Sequence, residues 1–330
     1  MKALVYTANG EMSYRDAPEP TADSGDTLVQ IHAVGICGSD MHAYHGHDPR
    51  RVPPLILGHE AAGTVLEGPL AGERVVLNPL VSCGVCDYCS GGRSNLCQAR
   101  KLVGMNYPGA FAERIRIPAR NLIPLPGPMD PAHAALTEPA ATALHALHLA
   151  EGAGHRLAEG RCLVIGGGSI GILAALLMHW RGCRDITLAE TNPLRRASAA
   201  ATGVCQVYDP LNEPALPADD YHLVFDAVGS AATRGAAIRA VRPGGALVHV
   251  GLQENGGEFD MRKLTLAEVT LFGVYTYNAN TLRAALAALY QGVLGDLAWV
   301  EQRPMAAGAT AFADLDQGRS GAGKIVLLPD

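Results

Sequence analysis

Four cysteines in the first third of the chain have the spacing of a zinc-binding loop: Cys83, Cys86, Cys89 and Cys97. Short Cys-x-x-Cys steps let one tight loop present several sulfur atoms to a tetrahedral zinc ion. Gly84 allows a sharp turn, and Asn95 with two glycines loosens the longer arm. The spacing therefore predicts a closed site with four thiolates, which leaves no position for a substrate. Disulfides would need an oxidising compartment, which the cysteine content does not indicate.

A second group of candidate ligands lies earlier in the chain, in segments 37–42 and 58–60, which read Cys-Gly-Ser-Asp-Met-His and Gly-His-Glu. The thiolate of Cys37, the imidazole of His59 and the carboxylate of Glu60 match the ligand preferences of zinc. Three protein ligands with one open position form a catalytic site rather than a structural one. Because the two segments are separated in sequence, only the fold can bring them together.

A glycine-rich segment, 161–171, reads RCLVIGGGSIG. It fits G-x-G-x-x-G directly after an apolar strand and at the start of an apolar helix. Backbone amides at such a helix N-terminus can bind the pyrophosphate of a dinucleotide. The predicted contacts come from Gly166, Gly168, Ser169, Ile170 and Gly171.

An acidic residue, Glu190, ends the next predicted strand, 19 positions after Gly171. A carboxylate at this place accepts hydrogen bonds from the adenosine ribose and repels a 2′-phosphate, which favours NAD over NADP. Arg195 follows shortly afterwards and could accommodate extra phosphate charge, so the sequence does not exclude NADP.

Two further apolar strands each lead into Val-Gly, at Val228 and Gly229 and at Val250 and Gly251. Open parallel sheets bind their ligands at the carboxyl ends of the strands. These four residues are therefore candidates for backbone contacts with the same cofactor.

Two patterns of secondary structure must position these residues. Residues 1 to about 125 alternate short apolar runs with Gly, Pro and Asp clusters, which predicts a β-rich domain of barrel type. From Thr137 onward, apolar strands alternate with helices in the βαβ rhythm of a parallel sheet. The predicted strands are 161–165, 185–190, 221–227, 245–250 and 268–275, and the predicted helices are 169–181, 193–201 and 231–241. The final strand, 324–328, is expected to return to the first domain.

Length and charge narrow the class of protein. A chain of 330 residues exceeds one ordinary hydrophobic core and predicts two domains. A net charge of −6 argues against nucleic-acid and membrane-surface partners, which favour clustered Lys and Arg. The opening residues contain no secretory signal, and the longest apolar stretch is too short to span a bilayer. We therefore expect a cytoplasmic protein.

Taken in order, these motifs resemble the zinc-containing medium-chain dehydrogenases, and most closely the sorbitol, polyol and threonine dehydrogenase branches. The resemblance covers essentially the whole chain. It implies an α/β protein in which a GroES-like catalytic domain, residues 1–139 and 276–330, is split around a doubly wound Rossmann domain, residues 140–275. The active site is then expected in the cleft between the two domains.

The resemblance also implies roles for individual residues. Cys37 and His59 match the ligands of a catalytic zinc ion, and either Glu60 or Glu138 supplies a further carboxylate ligand, a choice that the sequence leaves open. Ser39 occupies the position that receives the substrate proton, and His42 the position that relays it towards solvent. Lys324 is a candidate for the cation that meets the cofactor pyrophosphate.

The expected function is oxidation of a secondary alcohol, in a polyol or sugar-like compound, by NAD, with one catalytic and one structural zinc ion per subunit. L-threonine and simple secondary alcohols remain alternative substrates, and a zinc-stabilised binding protein without turnover is a less favoured alternative. A zinc-ribbon nucleic-acid binder is excluded because the chain is acidic. By resemblance the protein forms a homodimer or homotetramer, with segment 269–275 as a candidate edge strand.

Overall fold

The structure is a computed structural model that describes residues 1–21 and 25–329. The first part of the chain is mostly β-structure with two short helices. Its elements are β1 (Lys2–Ala8), β2 (Glu11–Asp16), β3 (Asp26–Gly35), α1 (Gly38–Tyr44), β4 (Leu55–Ile56), β5 (Glu60–Val65), β6 (Arg74–Leu77), β7 (Leu80–Val81), α2 (Asp87–Ser90), β8 (Lys101–Leu102), β9 (Arg114–Pro118) and β10 (Leu122–Pro124).

The second part alternates helices and strands. Its elements are α3 (Pro131–Ala135), α4 (Thr137–Gly152), β11 (Cys162–Ile165), α5 (Ser169–Trp180), β12 (Ile186–Ala189), α6 (Pro193–Ala201), β13 (Gln206–Tyr208), β14 (Tyr221–Asp226), α7 (Ala231–Ala240), β15 (Val241–His249), α8 (Met261–Leu266), β16 (Thr270–Gly273), α9 (Ala279–Tyr290), β17 (Val300–Pro304), α10 (Gly308–Asp316) and β18 (Lys324–Leu328).

The first domain is built on a sheet with the strand order β10-β6-β5-β3-β18-β17, in which β9 also pairs with β3. A three-stranded sheet, β2-β1-β4, packs over it, and Leu4, Phe111 and Phe312 lie in the shared core. Strand β18 pairs antiparallel with β3, so the chain returns to this domain as the sequence predicted. The return places residues from opposite ends of the chain on neighbouring strands.

The second domain has a six-stranded sheet in which all neighbours are parallel, in the order β13-β12-β11-β14-β15-β16. Numbered within the domain this is 3-2-1-4-5-6, the strand order of a doubly wound dinucleotide-binding fold. The order reverses between β11 and β14, and a crevice forms there at the carboxyl ends of the strands. The predicted α/β fold class is thus confirmed.

The structure adds elements that the sequence pattern did not indicate, chiefly β13 and α8, and it shortens the last predicted strand to β16. Helix α9 packs against α4, and its Leu282 and Leu286 belong to the same core as Leu173 of α5. We therefore propose that the second domain extends to about residue 299, rather than ending at residue 275. In the described ranges, no helix combines the length and the apolar character that crossing a membrane requires.

Two glycines on helices give a matched test of how closely helix α5 approaches the glycine-rich loop that precedes it. A Cβ atom on Gly171 would lie 1.8 Å from the carbonyl oxygen of Gly166, whereas one on Gly235 would meet open space among the described residues. We expect Gly171→Ala to lower the free energy of unfolding by roughly 1–3 kcal/mol through overpacking. Gly235→Ala should instead raise it by about 0.5–1 kcal/mol, since alanine favours helix. Urea midpoints followed by circular dichroism measure both, and equal shifts would contradict the packing described.

Candidate active site and metal centres

A cleft of about 750 Å³ lies between the two domains and brings most of the predicted site residues together. The predicted residues that line it are Cys37, Ser39, His42, His59, Glu138, Gly166, Gly168, Ser169, Ile170, Gly171, Glu190, Arg195, Val228, Val250 and Gly251. Three predicted residues fall outside the lining that the described residues form: Glu60, Gly229 and Lys324. Thus one cavity joins the candidate metal ligands of the first domain to the glycine-rich segment of the second.

The candidate metal ligands of the first domain form one compact cluster. Ligand atoms of Cys37, His59 and Glu60 all lie within 4.8 Å of one another. Cys37 precedes the first turn of α1, and Glu60 begins β5, so a helix start and a strand start meet here. Ligand atoms of one tetrahedral zinc ion, each 2.0–2.3 Å from the metal, lie about 3.3–3.8 Å apart, so a cluster of this extent needs only a small contraction to hold one. The size and chemistry of this donor set therefore fit zinc.

The ring of His59 lies between two polar side chains. Its Nε2 lies 3.5 Å from Ser39 Oγ on the cleft side, and its Nδ1 lies 3.5 Å from Asp40 Oδ1 on the buried side. Asp40 is fully buried and also accepts a hydrogen bond of 3.0 Å from the Cys37 amide. A carboxylate behind a ligating histidine fixes which ring nitrogen faces the metal. Asp40 is thus a candidate positioning residue for His59, and it was not among the site residues predicted from the motif that contains it.

Charges in this buried cluster oppose the effect of burial. Burial would raise the pKa of Asp40, but His59, Arg51 and the Cys37 amide hold it below its usual value. Burial would lower the pKa of His59, yet the neighbouring Asp40 and Cys37 raise it well above its usual value. Each of the two groups therefore shifts the pKa of the other against the effect of burial.

Lys324 lies elsewhere than the sequence predicted. Its ammonium group donates to both carboxylate oxygens of Glu60, at 2.8 and 2.6 Å, and to the carbonyl oxygen of Ile36 at 2.8 Å. Both side chains are buried, each about 1% exposed. Burial would lower the pKa of Lys324, but Glu60 and Cys37 raise it. Lys324 therefore neutralises the carboxylate beside the metal cluster, and the prediction that it meets the pyrophosphate is wrong.

Gly35 makes room for this ion pair. It lies on β3, opposite Glu60 of β5 and Val326 of β18. A Cβ atom on Gly35 would lie 2.1 Å from Glu60 Oε2. The central strand must therefore carry a glycine where the carboxylate and the ammonium group meet across it.

Ser39 and His42 lie one turn apart on α1, so their side chains share a face, and both line the cleft. Arg51, only 3% exposed, donates to the carbonyl oxygen of Ser39 at 2.9 Å and lies 3.4 Å from its hydroxyl group. Burial, together with the charges of His47 and His45, lowers the pKa of His42. His42 is therefore neutral near pH 7 and can accept a proton.

Glu138 lies in the first turn of α4 and faces the cleft beside His59. Burial, with the nearby charge of Glu60, raises its pKa to about 7, while His59 and the neighbouring Tyr277 hydroxyl act in the opposite direction. The two carboxylates thus differ in surroundings. Glu60 is paired with a buried cation behind the cluster, and Glu138 is open to the cleft.

The glycine-rich loop is tied to Glu190. The Gly167 amide donates to Glu190 Oε2 at 2.7 Å, and the Asn192 amide donates to its Oε1 at 2.7 Å. Gly166 has a φ of 104°, a conformation that glycine adopts without strain. These bonds place the predicted ribose-binding carboxylate directly beside the predicted pyrophosphate loop.

The Val-Gly turns after β14 and β15 contact each other. Buried Asp226 accepts hydrogen bonds from the amides of Val228 and Gly229, at 3.0 and 2.9 Å. A Cβ atom on Gly229 would lie 2.1 Å from the carbonyl oxygen of Gly251, so the two loops need glycine to approach each other. Val228 and Gly251 consequently line the cleft, whereas Gly229 packs behind it.

The four predicted zinc cysteines meet in the loop between β7 and β8, with their Sγ atoms within 4.8 Å of one another. The sulfur atoms of Cys86 and Cys89 lie 3.5 Å apart, and those of Cys83 and Cys89 lie 3.9 Å apart. A tetrahedral zinc ion with bonds of 2.3 Å separates its sulfur ligands by about 3.8 Å. The cluster therefore fits a closed zinc site.

Comparison with known proteins agrees with this geometry. The family described as "alcohol dehydrogenase GroES-like domain" matches residues 23–127, and that described as "zinc-binding dehydrogenase" matches residues 169–291. The L-threonine 3-dehydrogenase of Mesorhizobium japonicum is 31% identical, over 99% of this chain and 98% of that protein. The chain belongs to the zinc-containing medium-chain dehydrogenase family. Members of this family are zinc-dependent, NAD(P)-linked alcohol dehydrogenases, and the resemblance stated from the sequence is confirmed.

Two further proteins similar to this dehydrogenase differ in the compounds they are named for. The L-galactonate-5-dehydrogenase of Escherichia coli K12 is 31% identical, over 83% of this chain and 82% of that protein. The acetophenone reductase of Geotrichum candidum, solved in complex with NAD, has a TM-score of 0.87 at 25% identity, covering 99% of this chain and 96% of that one.

The two clusters predict opposite effects of losing one cysteine. Cys89→Ser should remove the zinc ion of the closed site and lower the thermal unfolding midpoint, because that ion stabilises the loop. Cys37→Ser should abolish turnover while the midpoint changes much less. Metal analysis, calorimetry and steady-state rates on both variants distinguish them. An active Cys37→Ser variant, or an inactive Cys89→Ser variant with an unchanged midpoint, would contradict the assignment.

Proposed function

We propose that this dehydrogenase oxidises a secondary alcohol group of a polyol or sugar-like compound to a ketone, with NAD as the hydride acceptor. One observation carries the proposal. A single cleft is lined on the first domain by Cys37 and His59 of the metal cluster, and on the second domain by the glycine-rich loop. An alcohol beside the cluster would therefore face a cofactor bound along the sheet.

The named relatives support a secondary alcohol as substrate. Each relative is named for a compound whose reacting hydroxyl group is a secondary alcohol: at position 3 of threonine, at position 5 of galactonate, and at the carbinol carbon that corresponds to acetophenone. L-threonine is kept as a second candidate substrate, since a relative named for it aligns with almost the whole chain. The galactonate relative supports a polyhydroxylated compound.

In this proposal Cys37, His59 and Glu60 hold the catalytic zinc ion, because their ligand atoms form the compact cluster. Bound there, zinc supplies Lewis acidity that favours loss of the substrate hydroxyl proton. Asp40 orients His59, and Lys324 offsets the charge of Glu60. Glu138 faces the cleft beside the cluster and orients polar groups of the substrate or of water.

The proton of the alcohol leaves along α1. Ser39 Oγ, which lies 3.5 Å from the His59 ring, accepts it first. His42, on the same face of the helix, then accepts it and releases it to solvent, since its neutral imidazole is half-buried in the cleft wall. Arg51 holds the backbone of Ser39 in place for this transfer.

The choice of NAD rests on Glu190. Its carboxylate is fixed beside the Gly167 amide, at the end of β12, where a 2′-phosphate would meet a negative charge. Arg195 also lines this end of the cleft, so NADP is expected to bind less tightly rather than to be rejected altogether.

We further propose that the chain works as a homo-oligomer in the cytoplasm. Strand β16 lies at the edge of its sheet, where a partner strand would pair, and its Leu271 is 45% exposed; thiolate zinc ligands persist in a reducing compartment. The molar mass in solution, measured by light scattering, tests the first of these proposals.

A substrate panel tests the proposed reaction. We expect the zinc-loaded protein to reduce NAD with at least one member of a panel of polyols, aldonic acids, L-threonine and simple secondary alcohols. The rate with NADP should be lower at equal concentration, because of Glu190. Absorbance of the reduced cofactor measures both rates.

Cys37→Ser should abolish this activity, and Cys205→Ser, which changes a thiol away from the cleft, should not. Inactivity of the parent protein over the whole panel would overturn the proposal. Activity on L-threonine alone would favour the second candidate.

The proton path predicts a pH-dependent defect. His42→Gln removes a proton acceptor, so kcat/KM for alcohol oxidation should fall roughly tenfold near pH 7. The loss should shrink at alkaline pH, where hydroxide accepts the proton. The pH profile of kcat/KM measures this, with His133→Gln, on α3 and outside the cleft lining of the described residues, as the control. A loss that is independent of pH would exclude a relay through His42.

A further inference from the structure

The four-cysteine cluster lies in a lobe that residues 80–102 form. Leu102, at the end of the lobe, lines the catalytic cleft. The lobe also contacts segment 275–277 of the second domain, which follows β16. The functional importance of this contact rests on the proposed reaction, because two residues of the segment, Tyr275 and Thr276, line the same cleft.

Two side chains of the lobe hold Tyr275. Asn95, only 4% exposed, donates from its side-chain amide to the carbonyl oxygen of Tyr275 at 3.0 Å. The guanidinium group of Arg100 lies 4.6 Å from the centre of the Tyr275 ring, within the range of a cation–π contact. Arg100 also donates to the carbonyl oxygen of Cys97 at 2.9 Å. The chain of contacts therefore runs from a zinc ligand, through one arginine, to a ring in the cleft wall.

The segment that these contacts hold is strained. Thr276 has a φ of 47°, in the left-handed region that a β-branched residue rarely adopts. Such a conformation persists only where the surroundings hold it in place. On its other side the segment continues into Tyr277, which is fully buried with its hydroxyl group beside Glu138. A shift of the segment would thus reach both the cleft wall and a carboxylate of the active site.

We propose that the cysteine lobe shapes the catalytic cleft through Tyr275. Asn95 and Arg100 are the positioning residues, and they fix the conformation of segment 275–277. The zinc ion of the lobe stabilises the loop from which both side chains project. The strained segment keeps its conformation because the lobe holds its carbonyl oxygen and its ring. Loss of either contact relaxes the cleft wall without unfolding the metal site.

Hydrogen–deuterium exchange tests this without requiring turnover. In the zinc-loaded protein, Asn95→Ala and Arg100→Ala should speed amide exchange in residues 274–278 roughly tenfold, because each removes a contact that holds the segment. Exchange in residues 166–171 should not change, and each variant should retain both zinc ions. Arg93→Ala is the matched control, since Arg93 lies in the same lobe but stacks on Tyr88 within it.

Steady-state kinetics supply the second readout. We expect kcat/KM to fall between about tenfold and a hundredfold in both variants, because a small displacement of the cleft wall misplaces the substrate. Binding of ADP-ribose, which reports on the glycine-rich loop, should stay unchanged. Arg100→Lys, which keeps a cation near the ring, should recover part of the loss, whereas Arg93→Ala should match the parent.

Three results would overturn the inference. Exchange in residues 274–278 could stay at the parental rate in Asn95→Ala, or zinc could be lost in parallel with activity, or ADP-ribose binding could fall together with kcat/KM. If the parent protein oxidises no alcohol, the proposed function fails, but the exchange experiment still decides whether the lobe holds the segment.

Discussion

The buried ion pair of Glu60 and Lys324 is the interaction on which the active site depends. Taking two charges out of water is costly, and removing one partner of such a pair typically destabilises a protein by about 3–5 kcal/mol. Here the two charges lie together where β3 runs between β5 and β18, and Gly35 leaves space for the carboxylate. Because Glu60 directly follows His59, the ion pair holds the residue next to a candidate metal ligand. Any displacement of β18 would leave a buried carboxylate without its cation, next to the reacting centre.

The two candidate metal clusters both use cysteine but differ in their other ligands. In the lobe, four sulfur atoms close the coordination shell, and their carrier loop contacts both the cleft and segment 275–277. Beside the cleft, the sulfur, nitrogen and oxygen donors of the smaller cluster would leave the fourth position of a zinc ion open, and ionisable groups surround them, among them Asp40, Lys324 and Glu138. The first arrangement resists change, and the second can bind and release a substrate.

Much of this could be predicted from the sequence, because the informative residues lie close together along the chain. The cysteine spacing, the glycine-rich loop and its following Glu190 are local patterns, and the structure brings them where expected. Strand β13 was missed, since three residues at a sheet edge give no periodic signal. Lys324 was assigned to the wrong partner because its contact with Glu60 spans 264 positions. Asn95 was interpreted as a loosening turn residue, yet it is buried and bonded across the domain boundary. Contacts of this range exist only once the chain has folded.

The return of the chain to its first sheet also orders events during synthesis. Domains usually fold as they leave the ribosome, with N-terminal units first. The ligands Cys37, His59 and Glu60 are all made early, but the cation that Glu60 needs follows the whole second domain in the chain. The catalytic domain therefore begins first and matures last. Until β18 docks beside β3, the carboxylate of Glu60 has no Lys324 to pair with, so burying it is unfavourable. A metal pocket that contains this ion pair therefore requires a segment that is made after the dinucleotide-binding sheet.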